Sequence, residues 1–515
     1  MLRWLGAMVV IAALAAVPAH GAEPDWVYKP TGRLIRAAPD GKPDGDGSPG
    51  KPLDVFTALG KKSPASPGDT IVLATGTYEG KMDGIKRVPF EWAVSGTADK
   101  PVLAMPAPGA AVHLNGAASL TSSHAWFFNL EVGDLKWDPY QKAHRAETVL
   151  NATGGDGARI INCNVFGGAM GTGLWSSARN TEVYGCLVHD FGTLAGAGRG
   201  HGHAFYTQNE TGTKIYAHNV AWRGCGWNLH VYTQGGQING FDIIQNIFYL
   251  AGAYKEGQTM DNFLVAGYVP TDRIRLLGNV GYQPSRVEAW RPNVRLSHFK
   301  PVVNGAAVVR DNYFAGANYG LSLGNWKDIT VTGNTIWAYR FLVEANSSPT
   351  GVSIPSPPNR PDLGGYKLDG NTYIANGHDK AFIYGRNEKP QEDEILSFAE
   401  WQKLGLDKES KLLSGREGKP TGTKVFIFPN RYERGRAHVA IFNWDGESTV
   451  AVDLSGVLAR GQSFAIYNCL DIKTTLANAR PLHTGTCEGG SIAFPMRKDP
   501  LSPDFDAFLV LPRAP

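Results

Sequence analysis

Charge is sparse in this chain: 19% of its 515 residues are Asp, Glu, Lys or Arg, and the formal net charge is only +3. So small an excess supplies neither the basic field that draws nucleic acid nor one that holds a membrane surface. Long apolar runs are nearly missing too. After Leu5 to Val17 no stretch of eighteen apolar residues recurs, which argues against a later membrane-spanning helix. That first run stands between a short basic start, Met1-Leu-Arg3, and the small-residue pattern Ala19-His-Gly21. Residues 1–21 therefore read as a signal peptide, and the mature protein is expected to be secreted or periplasmic. Cysteine is scarce and odd in number, at five. Cys469 and Cys487 are expected to form a disulfide in such an oxidising compartment, whereas Cys163, Cys186 and Cys225 are equally consistent with buried free thiols.

Glycine, by contrast, is abundant at 62 residues, and 13 Trp accompany it. The stretch from Gly200 to Asn246 writes one pattern twice. His203-Ala-Phe-Tyr-Thr-Gln-Asn209 and Lys214-Ile-Tyr-Ala-His-Asn-Val220 are followed by Leu229-His-Val-Tyr-Thr-Gln-Gly235 and Phe241-Asp-Ile-Ile-Gln-Asn-Ile247. A strand and a turn residue returning at such a period mark a solenoid. The aliphatic run closed by Asn recurs through Asn164, Asn279, Asn312, Asn334 and Asn371, with Cys186 at the equivalent place. Helices cannot keep this phase with so much glycine and so many β-branched residues, but coils of β-strand can, since loops of any length bulge between fixed strands. The asparagines read as scaffold: stacked amides bond along the axis at the ~4.8 Å strand spacing, and Asn tolerates the left-handed backbone of a tight corner. The fold class is all-β, a right-handed parallel β-helix with a small C-terminal antiparallel β-sandwich.

Taken in order, residues 22–390 form the solenoid, with Leu53 to Leu59 as a short helix capping its open end. Residues 391–420 hold a second cap, where Ser397 and Glu400 make a capping box, Phe398, Trp401 and Leu404 one apolar face, and Gly405 the stop. Residues 421–515 carry six alternating segments: Val425 to Phe428, Val439 to Asn443, Thr449 to Asp453, Ser463 to Tyr467, Ile492 to Phe494 and Ala507 to Leu511. Short strands separated by Gly, Asn and Pro suit a sandwich, expected to pack on the solenoid rather than to bind sugar.

Ser66-Pro-Gly-Asp-Thr-Ile71, Ser95-Gly-Thr-Ala-Asp-Lys-Pro101 and the Asn-ended coils resemble the right-handed parallel β-helix superfamily of secreted polysaccharide lyases and glycoside hydrolases, pectate-lyase-like in fold, over about residues 50–380. The resemblance implies an extracellular polysaccharide, probed in a groove on one outward sheet. It leaves the family unassigned. Of the motifs that polygalacturonases of this fold carry, only Gly200-His-Gly202 is matched, and the pectate-lyase calcium carboxylates with their Trp-Ile-Asp-His segment are missing.

Alternation places Phe205, Thr207, Val231 and Thr233 inside and Tyr206, Gln208, His230, Tyr232 and Gln234 outside, with Tyr206 over Tyr232 in the next coil. Trp175, Ser322 and Glu344 are expected on the same outward column. Such aromatics either meet the apolar face of a sugar ring or brace the sheet. Arg199-Gly-His201-Gly-His203 stands before the first strand, and two imidazoles at i and i+2 share a direction if that segment is extended. His189-Asp190 lies one coil earlier. A lyase must neutralise a uronate carboxylate, remove the C5 proton and protonate the leaving oxygen. Arg199 or Lys255 fits the first task, and His201, His203, His230 and Tyr206 fit the others. Substrate contacts are expected from Trp175, Tyr232, Gln208 and Gln234, and from Arg286 and Arg291 in a loop, residues 286–298, above a coil. A hydrolase would instead need two carboxylates, drawn from Asp190, Glu210, Glu256, Asp261, Glu288 and Glu344. A non-catalytic carbohydrate-binding protein is the third reading. No spacing fixes a metal site; a divalent cation such as calcium is the one cofactor class left open.

Overall fold

A computed structural model describes residues 31–83, 86–141, 148–195, 200–254, 258–284, 291–296, 302–347, 360–385, 394–415 and 418–513. The signal-peptide reading of residues 1–21 lies outside them. Three walls of twelve strands each build the solenoid. One coil shows the plan: Lys214–Ala217 in the first wall, Val220–Trp222 in the second and Trp227–Val231 in the third, each pairing in parallel with its counterpart one coil on. The chain is a right-handed parallel β-helix. No described helix is long and apolar enough to cross a membrane.

Inward positions fill one continuous core, from Ile35 near one end to Trp401 at the other. Phenylalanines run along its axis: Phe205, Phe248, Phe263 and Phe314 lie 5.5, 4.7 and 5.6 Å apart in turn. The ends are closed as expected. Val55–Leu59 is a helix capped by Asp54, and Phe398–Gln402 is capped by the Ser397/Glu400 box, with Gly405 at φ +92° ending it.

The corner between first and second walls carries the asparagine ladder. The side-chain nitrogens of Asn219, Asn246, Asn279, Asn312 and Asn334 each donate to the side-chain oxygen of the next, at 2.8–3.0 Å. Asn371 closes the ladder by donating to Asp407 at 3.1 Å. Two details differ from the sequence reading. The left-handed residue is the one before each ladder asparagine, His218, Gln245, Gly278, Asp311, Gly333 or Gly370. Also, Asn164 sits one position along, opposite Leu187, so it is Cys163 that continues the column.

The C-terminal unit is a five-stranded antiparallel sheet facing a two-stranded ribbon, Thr449–Asp453 with Ser491–Pro495, across its own apolar core. All six expected strands are present, and His483–Thr486 is an added edge strand. The sheet's other face lies on the second wall, where Tyr282 stacks on Phe505, Tyr313 meets Phe442 and Trp337 meets Trp444 at 4.6–5.2 Å. This division explains why the expected Cys469–Cys487 disulfide is absent. All five cysteines are free and buried. Cys469 lies in the layer between wall and sheet, Cys487 in the core on the sheet's opposite face. A disulfide needs Cα atoms within about 7 Å and Cβ vectors that converge, and a sheet stands between these two.

Candidate active site

The third wall turns its outward face away from the sandwich. Its strands place one column of residues in register: Tyr206 beside His230, His230 beside Leu264, Leu264 beside Arg295, Arg295 beside Ser322 and Ser322 beside Glu344. The expected alternation holds, since Phe205, Thr207 and Val231 are buried inside. The vertical match does not. Tyr206 pairs with His230 rather than Tyr232, a slip of two residues. An even slip preserves which face each side chain takes, so both tyrosines still look outward, 6.5 Å apart between ring centroids.

A cleft of about 440 Å³ opens there, lined by His201, Gly202, His203, Trp227, His230, Tyr232, Gln234, Leu264, Tyr268, Arg291 and Arg295. His203 Nδ1 lies 3.2 Å from His230 Nδ1. Two imidazole nitrogens this close share a proton only if one donates and the other accepts, so one ring of the pair presents a lone pair. The rings pack in an aromatic box: Tyr206 stacks on His203 at 5.1 Å, Tyr232 on His230 at 4.6 Å and Trp227 on His230 at 5.2 Å. Trp175 meets Tyr206 edge-on at 5.5 Å, and its Nε1 donates to Asn151 Oδ1 at 2.8 Å, which fixes the indole. Burial pushes the Tyr206 phenol upward, as it does Tyr232, so both stay protonated at neutral pH.

Glycine is required at the entry strand. Gly202 has φ +108°, and a Cβ there would fall 2.4 Å from the Ala169 carbonyl oxygen, so the backbone kinks between the two histidines. His201 and His203 therefore reach the cleft through this kink and not through simple alternation. Gly200 donates its N–H to Gln258 Oε1 at 2.8 Å, tying the segment to a neighbouring coil.

Basic charge comes from one strand. Pro292–Leu296 belongs to the third wall, although residues 286–298 read as a loop in sequence. Its Arg295, 2% exposed, pairs with Asp261, the Nε donating to Oδ2 at 2.7 Å. Arg291 stands at the strand's start, on the cleft. A second amide ladder anchors these strands: Asn228 donates to Asn262 and Asn262 to Asn293, at 2.8 and 2.9 Å. The sequence reading missed it, along with Trp227, Tyr268 and the Asp261–Arg295 pair. The alternation in Pro-Asn-Val-Arg-Leu296 is the signal that finds the strand.

The expected residues thus divide. His201, His203, Tyr206, His230, Tyr232, Gln234 and Arg291 meet at or beside the cleft, with Trp175 along the wall. Gln208, two residues beyond Tyr206, is half-buried and next to Gly236. Arg199, Lys255 and Arg286 lie outside the described residues. His189 and Asp190 are elsewhere: His189 lies between Phe166 and Trp222 on the second wall, and Asp190 accepts from His189, Arg223 and Tyr254. Arg223 also donates to the carbonyls of Leu470 and Ile472, so this cluster joins the sandwich to the wall.

Among the described residues no three His, Cys, Asp or Glu gather as metal ligands. Asp261 is paired with Arg295, and Glu344 lies one further coil beyond Ser322. Of the other carboxylates a hydrolase could draw on, Glu256 and Glu288 lie outside the described residues, and the described lining of the cleft holds no Asp or Glu.

No family model matches the chain, and no curated protein matches it in sequence. Among solved structures it is similar to the pectate lyase Pel9A, at TM-score 0.42 and 15% identity over 59% of this chain and 78% of that one. It is similar to a rhamnogalacturonan lyase at TM-score 0.42 and 14% identity, covering 75% and 88% of the two chains. A mannuronic acid-specific family 6 lyase from human gut microbiota aligns at TM-score 0.44 and 12% identity, over 75% and 92%. The sheet topology by itself establishes the architecture: this chain is a right-handed parallel β-helix with a β-sandwich docked on one wall.

Proposed function

We propose that the protein is a secreted or periplasmic polysaccharide lyase that cleaves a uronate-containing, acidic chain by β-elimination. The observation that carries this reading is the His203–His230 pair set beside Arg291 and Arg295 on an open, aromatic-walled cleft. Guanidinium groups suit a carboxylate and stabilise the enolate formed from it. A neutral imidazole of the pair takes the C5 proton. The C5–H electrons form the C4=C5 double bond, the C4–O bond breaks, and the departing oxygen takes a proton from the Tyr206 phenol, which its surroundings keep protonated. A hydrolase needs two carboxylates at the scissile bond, and the described residues lining this cleft include no Asp or Glu, which favours elimination over hydrolysis.

The test is a panel of polygalacturonate, alginate, hyaluronan and neutral glycans, followed by ultraviolet absorbance of the unsaturated product and by reducing ends. Absorbance rising with reducing ends on an acidic polymer is expected. Reducing ends without absorbance would mean a hydrolase, and binding without either a non-catalytic binder. His203→Ala is expected to lower turnover by at least ~10²-fold, the usual worth of a general base, while its circular dichroism and melting stay those of the parent.

A further inference from the structure

The outward column of the third wall changes character along its length. Glu91 is exposed, and Ser119, Asn151 and Tyr206 are half-buried. Beyond the histidines the same column closes: Leu264 and Arg295, 1% and 2% exposed, are the last of it to line the cleft, and Ser322 and Glu344 are 0% exposed. These residues sit on the face of the wall, not in the core, as their register with Tyr206 and His230 requires. The groove is therefore closed beyond Arg295. The wall ends there: Glu344 is followed in register by Ile383, 0% exposed, and the strand of Ile395 turns back antiparallel on Lys380–Tyr384 as the last strand of the sheet, clustering with Tyr319, Phe341 and Ile383. Arg360, paired with Glu394, lies over the Tyr384 ring at 5.2 Å.

We propose that the cleft is a dead end that accepts one terminus of an anionic polysaccharide, so that the enzyme shortens chains from that terminus and does not cut within them. The argument is one of length and charge, and it rests on the lyase reading above. From His230 to Arg295 is two coils, roughly 10 Å at the strand spacing, the reach of a disaccharide. A chain laid along Trp175 and Tyr206 and past the imidazoles has room for only such a stub before it meets Arg295, Ser322 and the closed wall. Arg291 on the cleft then receives the anionic group of the terminal part, with Arg295, held by Asp261, forming the wall behind it, and the aromatic shelf on the open side carries the rest of the polymer. A polymer running through in both directions would need the column beyond Leu264 to be solvent-accessible.

Product analysis tests this. With polygalacturonate and alginate as substrates, size-exclusion profiles are expected to show one short unsaturated product from the first time points, while solution viscosity falls slowly. A ladder of mid-length fragments with early collapse of viscosity would overturn the dead end and leave the lyase reading standing. A second arm does not depend on turnover. Uronate tetrasaccharides, blocked at the reducing end in one preparation and at the non-reducing end in another, are titrated calorimetrically into the His203→Ala protein. Blocking one terminus is expected to weaken binding by ten-fold or more and blocking the other to leave it unchanged. Equal binding of both forms overturns the proposal. Terminus-selective binding without turnover by the parent protein would overturn catalysis and not the dead end, and failure of every uronate to bind overturns both.

Discussion

Asp261 and Arg295 are ionised partners with almost no water around them, exposed 0% and 2%. Burial lowers the guanidinium's proton affinity, and the carboxylate beside it offsets only part of that. Such a pair adds little net stability, but removing one member strands the other charge in low dielectric, at a cost of about 3–5 kcal/mol. Asp261→Asn should therefore lose stability on that scale in urea melts, whereas an exposed pair such as Lys367–Asp328, both partners more than half exposed, should change by under ~1 kcal/mol when broken. Which residues face outward was legible at this scale, because a period of two needs only local sequence. That Arg295 is a wall residue was not: three arginines around a Trp and a Pro resemble a solvated loop until the next coil supplies a strand to pair with.

At the scale of one element, the Asn219–Asn371 ladder turns a sequence column into a continuous run of bonds. Asn279 accepts from the backbone and side chain of Asn246 at 3.0 and 2.9 Å and donates to Ile243 and Asn312. All are buried, so Asn279→Ala should cost about 3 kcal/mol in a denaturant titration, given ~1–3 kcal/mol for each donor or acceptor left unsatisfied. Asn279→Asp should be no rescue, since a carboxylate cannot donate to Ile243 and Asn312. The ladder was readable from spacing alone. The companion ladder of Asn228, Asn262 and Asn293 was not, because its steps straddle long loops at the second corner. The two-residue slip between Tyr206 and Tyr232 has the same origin: similarity of side chains set the match, while backbone pairing follows loop length.

Across the whole molecule, the sandwich adds its own titration. Burial raises Asp506 to about 6, against hydrogen bonds from Arg497 N–H and Asn468 that favour the anion. Its unfolded value is about 3.9. The folded form therefore holds the proton more tightly, and this contribution is present in full below about pH 4 and is lost as pH rises through about 6. Unfolding followed across that window should show this downward component with rising pH, and Asp506→Asn should flatten it. Asp190 runs the opposite way: Arg223 and His189 hold its carboxyl far below the ordinary range, so its contribution is complete above about pH 4 and fades only in strong acid.

A stack of coils that touch only their neighbours ought to fray from either tip, each rung leaving in turn. Here the sandwich reaches rungs from Leu187 to Ile374 with one apolar sheet, and Arg223 bolts it to one of them. It serves as a splint: a middle rung cannot loosen unless the splint lifts from all of them. Calorimetric melting should accordingly give a single transition for solenoid and sandwich together, and Arg223→Ala should split it into two.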